Sequence, residues 1–170
     1  MKLKKYFFSK TKSTNDLAMK KIKKGKKNGI IIANHQTKGR GQYGKKWISL
    51  KGNLFMSIFF EIKNNDPVNK ITKDNCKIVK KAISKFTKEK IYIKQPNDLL
   101  IKRKKICGIL QEILIYDFKK FLIVGIGMNI KNSPKIKNYP TTYLNNHCKK
   151  NINTTAVYKE IQQLYENKLG

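Results

Sequence analysis

The loop at residues 36–47, Q-T-K-G-R-G-Q-Y-G-K-K-W, carries the clearest chemical signal in the chain. Its three glycines, two and three residues apart, let a backbone take positive φ angles and come close to a ligand. Arg40 lies between two of them and is one of two arginines in the chain. Its planar guanidinium fits a carboxylate or a phosphate, and Trp47 offers a flat face for a ring. These residues predict an anion-binding loop; a surface β-turn with a core tryptophan is the alternative.

A second polar group, Ser13, Thr14 and Asn15, comes directly before an apolar helical pattern that ends at Gly25. Small polar residues here satisfy the first amides of a helix. The same helix end is positively polarised and can bind an anion or a polar ring. Plain capping is the simpler interpretation of this group.

A third signal is the pair of Lys105 and Gly108. Residues 102–105 predict a basic hairpin tip, and residues 106–113 predict the strand that follows it. A glycine inside a strand indicates close approach of another group to the backbone. Lys105, at the end of the tip, could reach the space that Gly108 leaves, although a solvated lysine is the simpler alternative.

The elements that must position these residues follow from apolar runs and turn signals. Strand candidates lie at residues 6–8, 29–34, 54–62, 91–94, 99–101, 106–113 and 121–130. A long amphipathic helix should begin with Asp66 as N-cap and Pro67 as its first residue, and a last helix spans 155–169. Residues 132–153 are polar and irregular.

This pattern predicts an α+β fold. We expect four strands interleaved unevenly with helices, two of them joined by a hairpin, in a central mixed, largely antiparallel sheet covered by helices. The loop matches G-x-G-x-x-G literally but runs from strand to strand, whereas a dinucleotide site leads into a helix.

Composition favours one domain over residues 1–170, with 39% hydrophobic residues. No run reaches the roughly 18 apolar residues of a membrane span, and the basic start develops no signal region. We therefore expect a soluble, cytoplasmic protein without membrane association. Cys76, Cys107 and Cys148 lack metal or redox spacing, so we expect reduced thiols and assign no metal ligands.

The net charge of +29 is a separate signal. Such a field attracts nucleic acid, anionic lipid or an acidic protein. Lysine is spread over every segment beside abundant Asn and Ile, which favours a compositional bias instead.

The motifs together resemble, in order and separation, the catalytic domain of biotin protein ligases. They are Ser13-Thr14-Asn15, Gln36, G-R-G-Q-Y-G-K-K-W, K-Q-P-N-D, K-I-C-G-I-L-Q-E and G-I-G-M-N. The resemblance runs from about Phe7 to the last helix. It implies a fold like that of class II aminoacyl-tRNA synthetases and biotin synthetase.

The resemblance also implies roles for individual residues. Lys105 and Arg40 would be catalytic, facing the biotin carboxylate and the α-phosphate of ATP. The implied biotin site is Ser13, Thr14, Asn15, Gln36, Arg40, Gly41, Gln42, Lys105 and Gly108. The implied nucleotide site is Gly39, Gly44, Trp47, Asn97, Asp98, Gly125, Gly127 and Asn129.

The implied reaction activates biotin with ATP and Mg²⁺ as biotinyl-5′-AMP. The biotinyl group would then pass to a lysine of the biotin carboxyl carrier protein of acetyl-CoA carboxylase. No specific DNA binding is expected, because no helix-turn-helix precedes Phe7, and a homodimer is left open. We expect that the small C-terminal β-barrel that usually follows this domain in the family is absent.

Two departures stand out against the family loop G-R-G-R-x-G-R-x-W. Gln42 replaces the second arginine and Lys45 the third, so one charge that would hold the adenylate is missing. Gln95 replaces the usual Trp of K-W-P-N-D.

Three alternatives for the function stay open: a lipoate or octanoate ligase of the same fold, a basic nucleic-acid-binding module, and an inactive ligase.

Overall fold

The computed structural model describes residues 1–63 and 66–170. In chain order the elements are β1 (Lys5–Phe8), α1 (Thr14–Lys23), β2 (Asn28–Ala33), β3 (Leu54–Glu61), α2 (Val68–Ile83), β4 (Ile91–Lys94), β5 (Asp98–Ile101), β6 (Lys104–Tyr116), β7 (Lys119–Met128) and α3 (Thr154–Lys168). Short 3₁₀ turns occur at Gln42–Gly44 and Leu144–His147. Residues 132–153 are otherwise irregular, as the sequence predicts.

One sheet joins the described strands in the order β1-β2-β3-β7-β6-β5-β4. β1 and β2 pair in parallel and every other neighbouring pair is antiparallel. The predicted mixed, largely antiparallel α+β fold is confirmed. The expected count of four strands is wrong, because all seven strand candidates, including β1, β4 and β5 with four residues each, pair in one described sheet.

The helices cover the two faces of the sheet unequally. The larger core lies on the face that carries Leu122, Val124 and Ile126 of β7, and it includes residues of α2 and α3. On the other face, Ala18 and Ile22 of α1 pack against a smaller apolar cluster of the sheet. Since α1 is only 10 residues long, part of this second face lies beyond its cover.

Both ends of α1 follow the sequence signals, whereas the start of α2 differs by one residue. Ser13 is the N-cap of α1, its Oγ accepting from the Asp16 amide at 3.4 Å, and Gly25 follows the helix with φ +77°. In α2, Pro67 is itself the N-cap, with ψ 142°. The expectation of Asp66 as N-cap is therefore wrong, because extended Pro67 lies outside the helix.

Two of the three hairpins in the described sheet have two-residue loops, and the third joins β4 to β5 through residues 95–97. Lys102 and Arg103 have φ 49° and 62° between β5 and β6, and Asp117 and Phe118 have φ 51° and 55° between β6 and β7. Positive φ at both loop residues matches the twist of the flanking strands. The predicted four-residue basic tip is thus too long, and Lys105 belongs to β6.

The three cysteines are free thiols, two of them buried. Burial, and secondarily the charge of Asp98, raise the pKa of Cys76 to about 11. None of the described helices has the length and apolar character that crossing a bilayer requires.

Tyr165→Phe tests the packing of α3 on α2. The Tyr165 hydroxyl donates to Asn75 Oδ1 at 2.7 Å, and both residues are fully buried. The substitution leaves the buried Asn75 Oδ1 without this hydrogen-bond donor, so we expect the free energy of unfolding to fall by about 1–3 kcal/mol. Urea denaturation measures this. Tyr92→Phe, on a half-exposed ring, is the control and should change stability by less than about 0.5 kcal/mol.

Candidate active site

A cavity of about 800 Å³ lies on the sheet face that α1 leaves open. Its walls come from the start of α1, the glycine loop, β5 to β7 and residues 134–141. It is lined by the predicted site residues Ser13, Thr14, Asn15, Gln36, Arg40, Gly41, Gln42, Trp47, Asn97, Asp98, Lys105, Gly108, Gly125, Gly127 and Asn129. Residues from six separate segments of the sequence therefore meet in one cavity.

Glycines form the floor of this cavity. On β7, Phe121 and Ile123 pack under α1, and the same face continues with Gly125 and Gly127. A β-carbon on Gly125 would lie 2.5 Å from Asn15 Oδ1, and one on Gly127 would lie 2.4 Å from Trp47 Cε2. Side chains at these two positions would displace the walls of the cavity.

The position of Lys105 depends on a β-bulge. Residues three apart in a regular strand point to opposite faces, yet Lys105 Nζ lies 3.3 Å from where a β-carbon of Gly108 would be. β5 pairs Leu99 with Cys107 but Leu100 with Lys105, so β6 contains one extra residue. This bulge turns the Lys105 side chain to the cavity face.

Lys105 is held by a carboxylate and two rings. Its Nζ lies 2.7 Å from Asp98 Oδ1 and 5.3 Å from the ring centroids of both Trp47 and Tyr139. The Tyr139 hydroxyl donates to the other oxygen of Asp98. Burial, followed by the hydrogen bond to Asp98 and its charge, raises the pKa of Tyr139, which keeps this donor protonated.

The polar wall of the cavity is a hydrogen-bonded group around the start of α1. The Thr14 amide and Oγ1 donate to Gln36 Oε1 at 2.8 and 3.0 Å. The hydroxyl of Ser57, fully buried on β3, lies 2.7 Å from Thr14 Oγ1 and 2.5 Å from Asn15 Oδ1. The side chains of Thr14 and Asn15, which the sequence analysis assigns to a group that could bind a polar ring, are thus held in place without a ligand.

Arg40 is bound to two carboxylates. Its Nη1 donates to Asp16 at 2.6 Å, and its Nη2 donates to both oxygens of Glu112 at 3.1 Å. Burial opposes the charge, but the hydrogen bond to Asp16 and the charges of Glu112 and Asp16 together raise the Arg40 pKa. Glu112 also accepts from Asn15 Nδ2 at 2.6 Å, so this one carboxylate joins the loop, α1 and β6.

The loop itself is a tight hairpin. The Trp47 amide donates to the Gly39 carbonyl at 2.9 Å, and the Gly41 amide donates to Lys45 at 2.6 Å. A β-carbon at Gly39 would lie 2.8 Å from the Trp47 carbonyl oxygen, and Gly44 has φ +72°. The structure places both glycines outside the cavity lining, with Gly39 opposite Trp47 at the base of the hairpin and Gly44 in its turn.

The indole of Trp47 covers the glycine floor. Its six-membered ring lies against Gly127 and Gly108, 2.4 to 2.8 Å from where their β-carbons would be. Its buried Nε1 has no hydrogen-bond partner among the described residues. The indole ring therefore fills the space directly over Gly108 and Gly127 inside the cavity.

The two asparagines predicted for the nucleotide site make backbone contacts here. Asn97 Nδ2 donates to the Ile109 carbonyl at 2.8 Å, and Asn129 Nδ2 donates to the Thr142 carbonyl at 3.1 Å. Asn53 Oδ1 accepts from the amides of Ile130 and Lys131 at 2.9 and 3.1 Å. These bonds fix the chain where it leaves β7, beside the cavity.

Four residues that shape the site are not among the predicted site residues: Ser57, Glu112, Tyr139 and Asn53. Glu112 stands inside the motif K-I-C-G-I-L-Q-E, and a polar residue inside the apolar run of β3 marks Ser57. Tyr139 belongs to an irregular stretch whose position no periodicity predicts. Asn53 precedes β3 without any distinguishing spacing.

The charge of the cavity favours anions. Among the described residues that line it, five are cationic, Arg40, Lys45, Lys46, Lys94 and Lys105, and one is a carboxylate, Asp98. In the described part of the chain, no three His, Cys, Asp or Glu side chains cluster so as to hold a metal ion. The cavity thus combines a polar pocket, a glycine floor and a cationic rim, which defines a site for an anionic ligand beneath a loop.

Comparison with known proteins identifies the family. The Biotin/lipoate A/B protein ligase family matches residues 7–129, which is most of the chain, and the chain belongs to this family. The bifunctional ligase/repressor BirA of Escherichia coli is 31% identical over 123 residues, which cover 69% of this chain and 38% of that protein. The chain therefore spans well under half of this relative's length.

Solved structures agree with the family. A biotin protein ligase from Leishmania major in complex with biotinyl-5-AMP has a TM-score of 0.81 at 25% identity, covering 95% of this chain and 72% of that one. The Aquifex aeolicus biotin protein ligase, in complex with biotin and ATP, has a TM-score of 0.80 at 26% identity and covers 98% and 70%. The predicted fold and the predicted family are confirmed.

Glu112→Gln tests whether Arg40 holds the loop closed. The substitution keeps the shape of the side chain but removes its charge. The contact between Arg40 of the loop and residue 112 of β6 should then weaken by up to about 1 kcal/mol, because the pair is partly exposed. We expect the emission of Trp47, the sole tryptophan, to shift to the red and acrylamide quenching to increase. Unchanged emission and quenching would contradict the role of this contact.

The control for this experiment is Glu160→Gln. It removes an ion pair of 2.5 Å with Lys85, away from the cavity lining. Trp47 fluorescence should be the same as in the unchanged protein.

Proposed function

We propose that this chain is a biotin protein ligase. It activates biotin with ATP as biotinyl-5′-AMP and transfers the biotinyl group to a lysine of the biotin carboxyl carrier protein of acetyl-CoA carboxylase. The observation that carries the proposal is the meeting of Lys105, the glycine loop and the Ser13–Asn15 group in one cavity. Family membership and the ligands named for the two solved relatives support it.

Biotin would lie with its polar ring against the start of α1. Gln36 and Ser57 fix the Thr14 and Asn15 side chains there, so the donors and acceptors for a ureido group are already in place. Gly125 lets Asn15 lie close against β7, and the cavity of about 800 Å³ leaves room for the fused rings. Binding in such a preformed site costs little ordering of side chains.

Lys105 would neutralise the reacting anions. A carboxylate and a triphosphate repel each other, so the site must bring them together and stabilise the charge that develops. The carboxylate oxygen attacks the α-phosphorus, the bond between that phosphorus and the bridging oxygen breaks, and pyrophosphate leaves. Asp98 and Tyr139 hold Lys105 in position for this step.

Arg40 would exchange partners when substrate binds. Its guanidinium is engaged by Asp16 and Glu112, and a substrate carboxylate or phosphate can replace one of these contacts. The loop then stays closed over the mixed anhydride and keeps water out. In the second step a carrier lysine amine attacks the carbonyl carbon, AMP leaves, and an amide forms.

Magnesium would arrive with the triphosphate. The single carboxylate in the described lining, Asp98, is already engaged by Lys105 and Tyr139. The donor set therefore does not fit a magnesium ion held by the protein alone, and the steps above do not depend on one.

Biotin-dependent exchange of labelled pyrophosphate into ATP tests the proposal. We expect exchange in the unchanged protein, a loss of about 100- to 1,000-fold in Lys105→Ala, and a loss of about 10- to 100-fold in Arg40→Ala, which removes charged hydrogen bonds. Lys104→Ala removes the neighbouring lysine, which lies outside the cavity lining, and should exchange normally.

The same assay with lipoate or octanoate separates the members of the family. Exchange with lipoate but not with biotin would mean that the chain activates lipoate instead of biotin. Absence of exchange with every acid would contradict the enzyme proposal.

Gln42→Arg tests the effect of the missing loop arginine. Gln42 lines the cavity, and a guanidinium there adds a charged hydrogen bond to the phosphate of the intermediate. We expect labelled biotinyl-5′-AMP to dissociate about 10-fold more slowly, measured by rapid filtration. Gln42→Met adds no charge and should not slow dissociation; equal rates in the arginine variant would exclude a phosphate contact at this position.

A further inference from the structure

Arg40 lines the cavity but binds two carboxylates that do not. Its guanidinium contacts Asp16 and Glu112, and both of these residues lie outside the described cavity lining. The positive charge of Arg40 is therefore neutralised beside the cavity. An oxyanion inside the cavity has to compete with these two carboxylates for the same guanidinium.

The two carboxylates hold Arg40 with different geometry. Arg40 Nη2 contacts both oxygens of Glu112 at 3.1 Å, whereas Nη1 contacts one oxygen of Asp16 at 2.6 Å. The Glu112 side chain is 26% exposed and the Asp16 side chain 38%. Because a carboxylate with less access to water loses more when its cation leaves, the contact with Glu112 is the more costly one to break.

Asp16 has a second source of stabilisation. It lies in the first turn of α1, where the amides of a helix carry partial positive charge that favours a carboxylate. Water also reaches its side chain. Asp16 can therefore release Arg40 and remain charged at a smaller cost than Glu112, which lies on a strand.

Glu112 is connected to the polar wall of the cavity. Asn15 Nδ2 donates to Glu112 at 2.6 Å, and Asn15 Oδ1 accepts from the fully buried Ser57 hydroxyl at 2.5 Å. This chain of hydrogen bonds fixes the Glu112 carboxylate relative to the start of α1. If Arg40 keeps Glu112 and gives up Asp16, its guanidinium stays beside this wall.

We propose that Asp16 occupies, at Arg40, the place of a ligand oxyanion, and that the ligand displaces it. Glu112 is then a positioning residue, which keeps Arg40 beside the polar wall during the exchange. This inference rests on the proposed function. The displacing group is a carboxylate if biotin alone releases Asp16 and a phosphate if ATP is required.

Two substitutions of matched shape test the proposal through binding. Asp16→Asn and Glu112→Gln each remove one negative charge next to Arg40, and the dissociation constant of labelled biotinyl-5′-AMP is measured for both variants. We expect binding about 3-fold tighter in Asp16→Asn, which removes the competitor, and about 3-fold weaker in Glu112→Gln, which removes the positioning contact. A general electrostatic effect would tighten binding in both variants, and that result would overturn the proposal.

The control for these variants is Asp74→Asn. Asp74 is 39% exposed and pairs with Lys77 in α2 at 3.5 Å, outside the cavity lining. This substitution removes the same charge from an equally exposed aspartate and should leave the dissociation constant unchanged. In an Arg40→Ala background, Asp16→Asn should likewise have no effect, and a gain in affinity there would contradict displacement at Arg40.

Arginine side-chain spectra test the displacement directly. The chain has two arginines, Arg40 and Arg103, so ¹⁵N-arginine labelling gives two guanidinium signals, which Arg103→Lys assigns. Without ligand, the Arg40 signals of the unchanged protein and of Asp16→Asn should differ. With saturating biotinyl-5′-AMP they should coincide, because Asp16 is no longer a partner; a difference that persists would overturn the proposal.

Titrations with biotin alone and with ATP alone identify the displacing group by the ligand that makes the Arg40 signals coincide. These spectra need no turnover, whereas pyrophosphate exchange tests the reaction. Displacement by ATP in a protein without exchange would leave the inference standing and contradict the proposed function. Exchange in a protein whose Arg40 keeps Asp16 at saturation would contradict the inference alone.

Discussion

The site depends on one steric constraint, which is that three positions on one face of two neighbouring strands carry no β-carbon. Gly125 and Gly127 on β7 and Gly108 on β6 lie beside one another, Gly108 pairing directly with Gly127. Any side chain there would enter the space now taken by Asn15, Trp47 or Lys105. The helix α1 covers this face only as far as the larger residues of β7. Along β7, the core therefore ends at Ile123 and the cavity begins at Gly125.

Electrostatics adds a second constraint. The two cations proposed for catalysis are each held by acidic partners, Lys105 by Asp98 and Arg40 by Asp16 and Glu112. Such pairs stabilise a surface fold only weakly, but they set the direction of each side chain before a substrate binds. Preorganised charge of this kind lowers the cost of stabilising a developing anion. The excess of cationic side chains around the cavity then favours a ligand with a negative charge.

Sequence reasoning succeeds here where a local pattern has a local cause. The glycine spacing of the loop, the cap at Ser13 and the apolar strands are predicted well, and the motifs contain most of the residues that line the cavity. It fails where a role depends on a distant partner. Ser57 matters because β3 crosses beneath α1, and Tyr139 matters because an irregular segment folds back over Asp98. The sequence offers seven strand candidates, yet the expected sheet of four strands is too small, because the pairing of four-residue strands such as β4 depends on neighbours that no local pattern identifies.

The bulge in β6 has a consequence for how this chain can change over evolutionary time. Lys105 and Gly108 face the same way because one surplus residue separates them from the regular pairing. Deletion of one residue between them would leave Lys105 and Gly108 two residues apart, and a regular strand would still place both on the same face. If the pairing with β5 were regular at the present length, the ammonium would instead point toward the helices on the far side. The segment could therefore lose one residue and keep this orientation, whereas at its present length the orientation depends on the bulge.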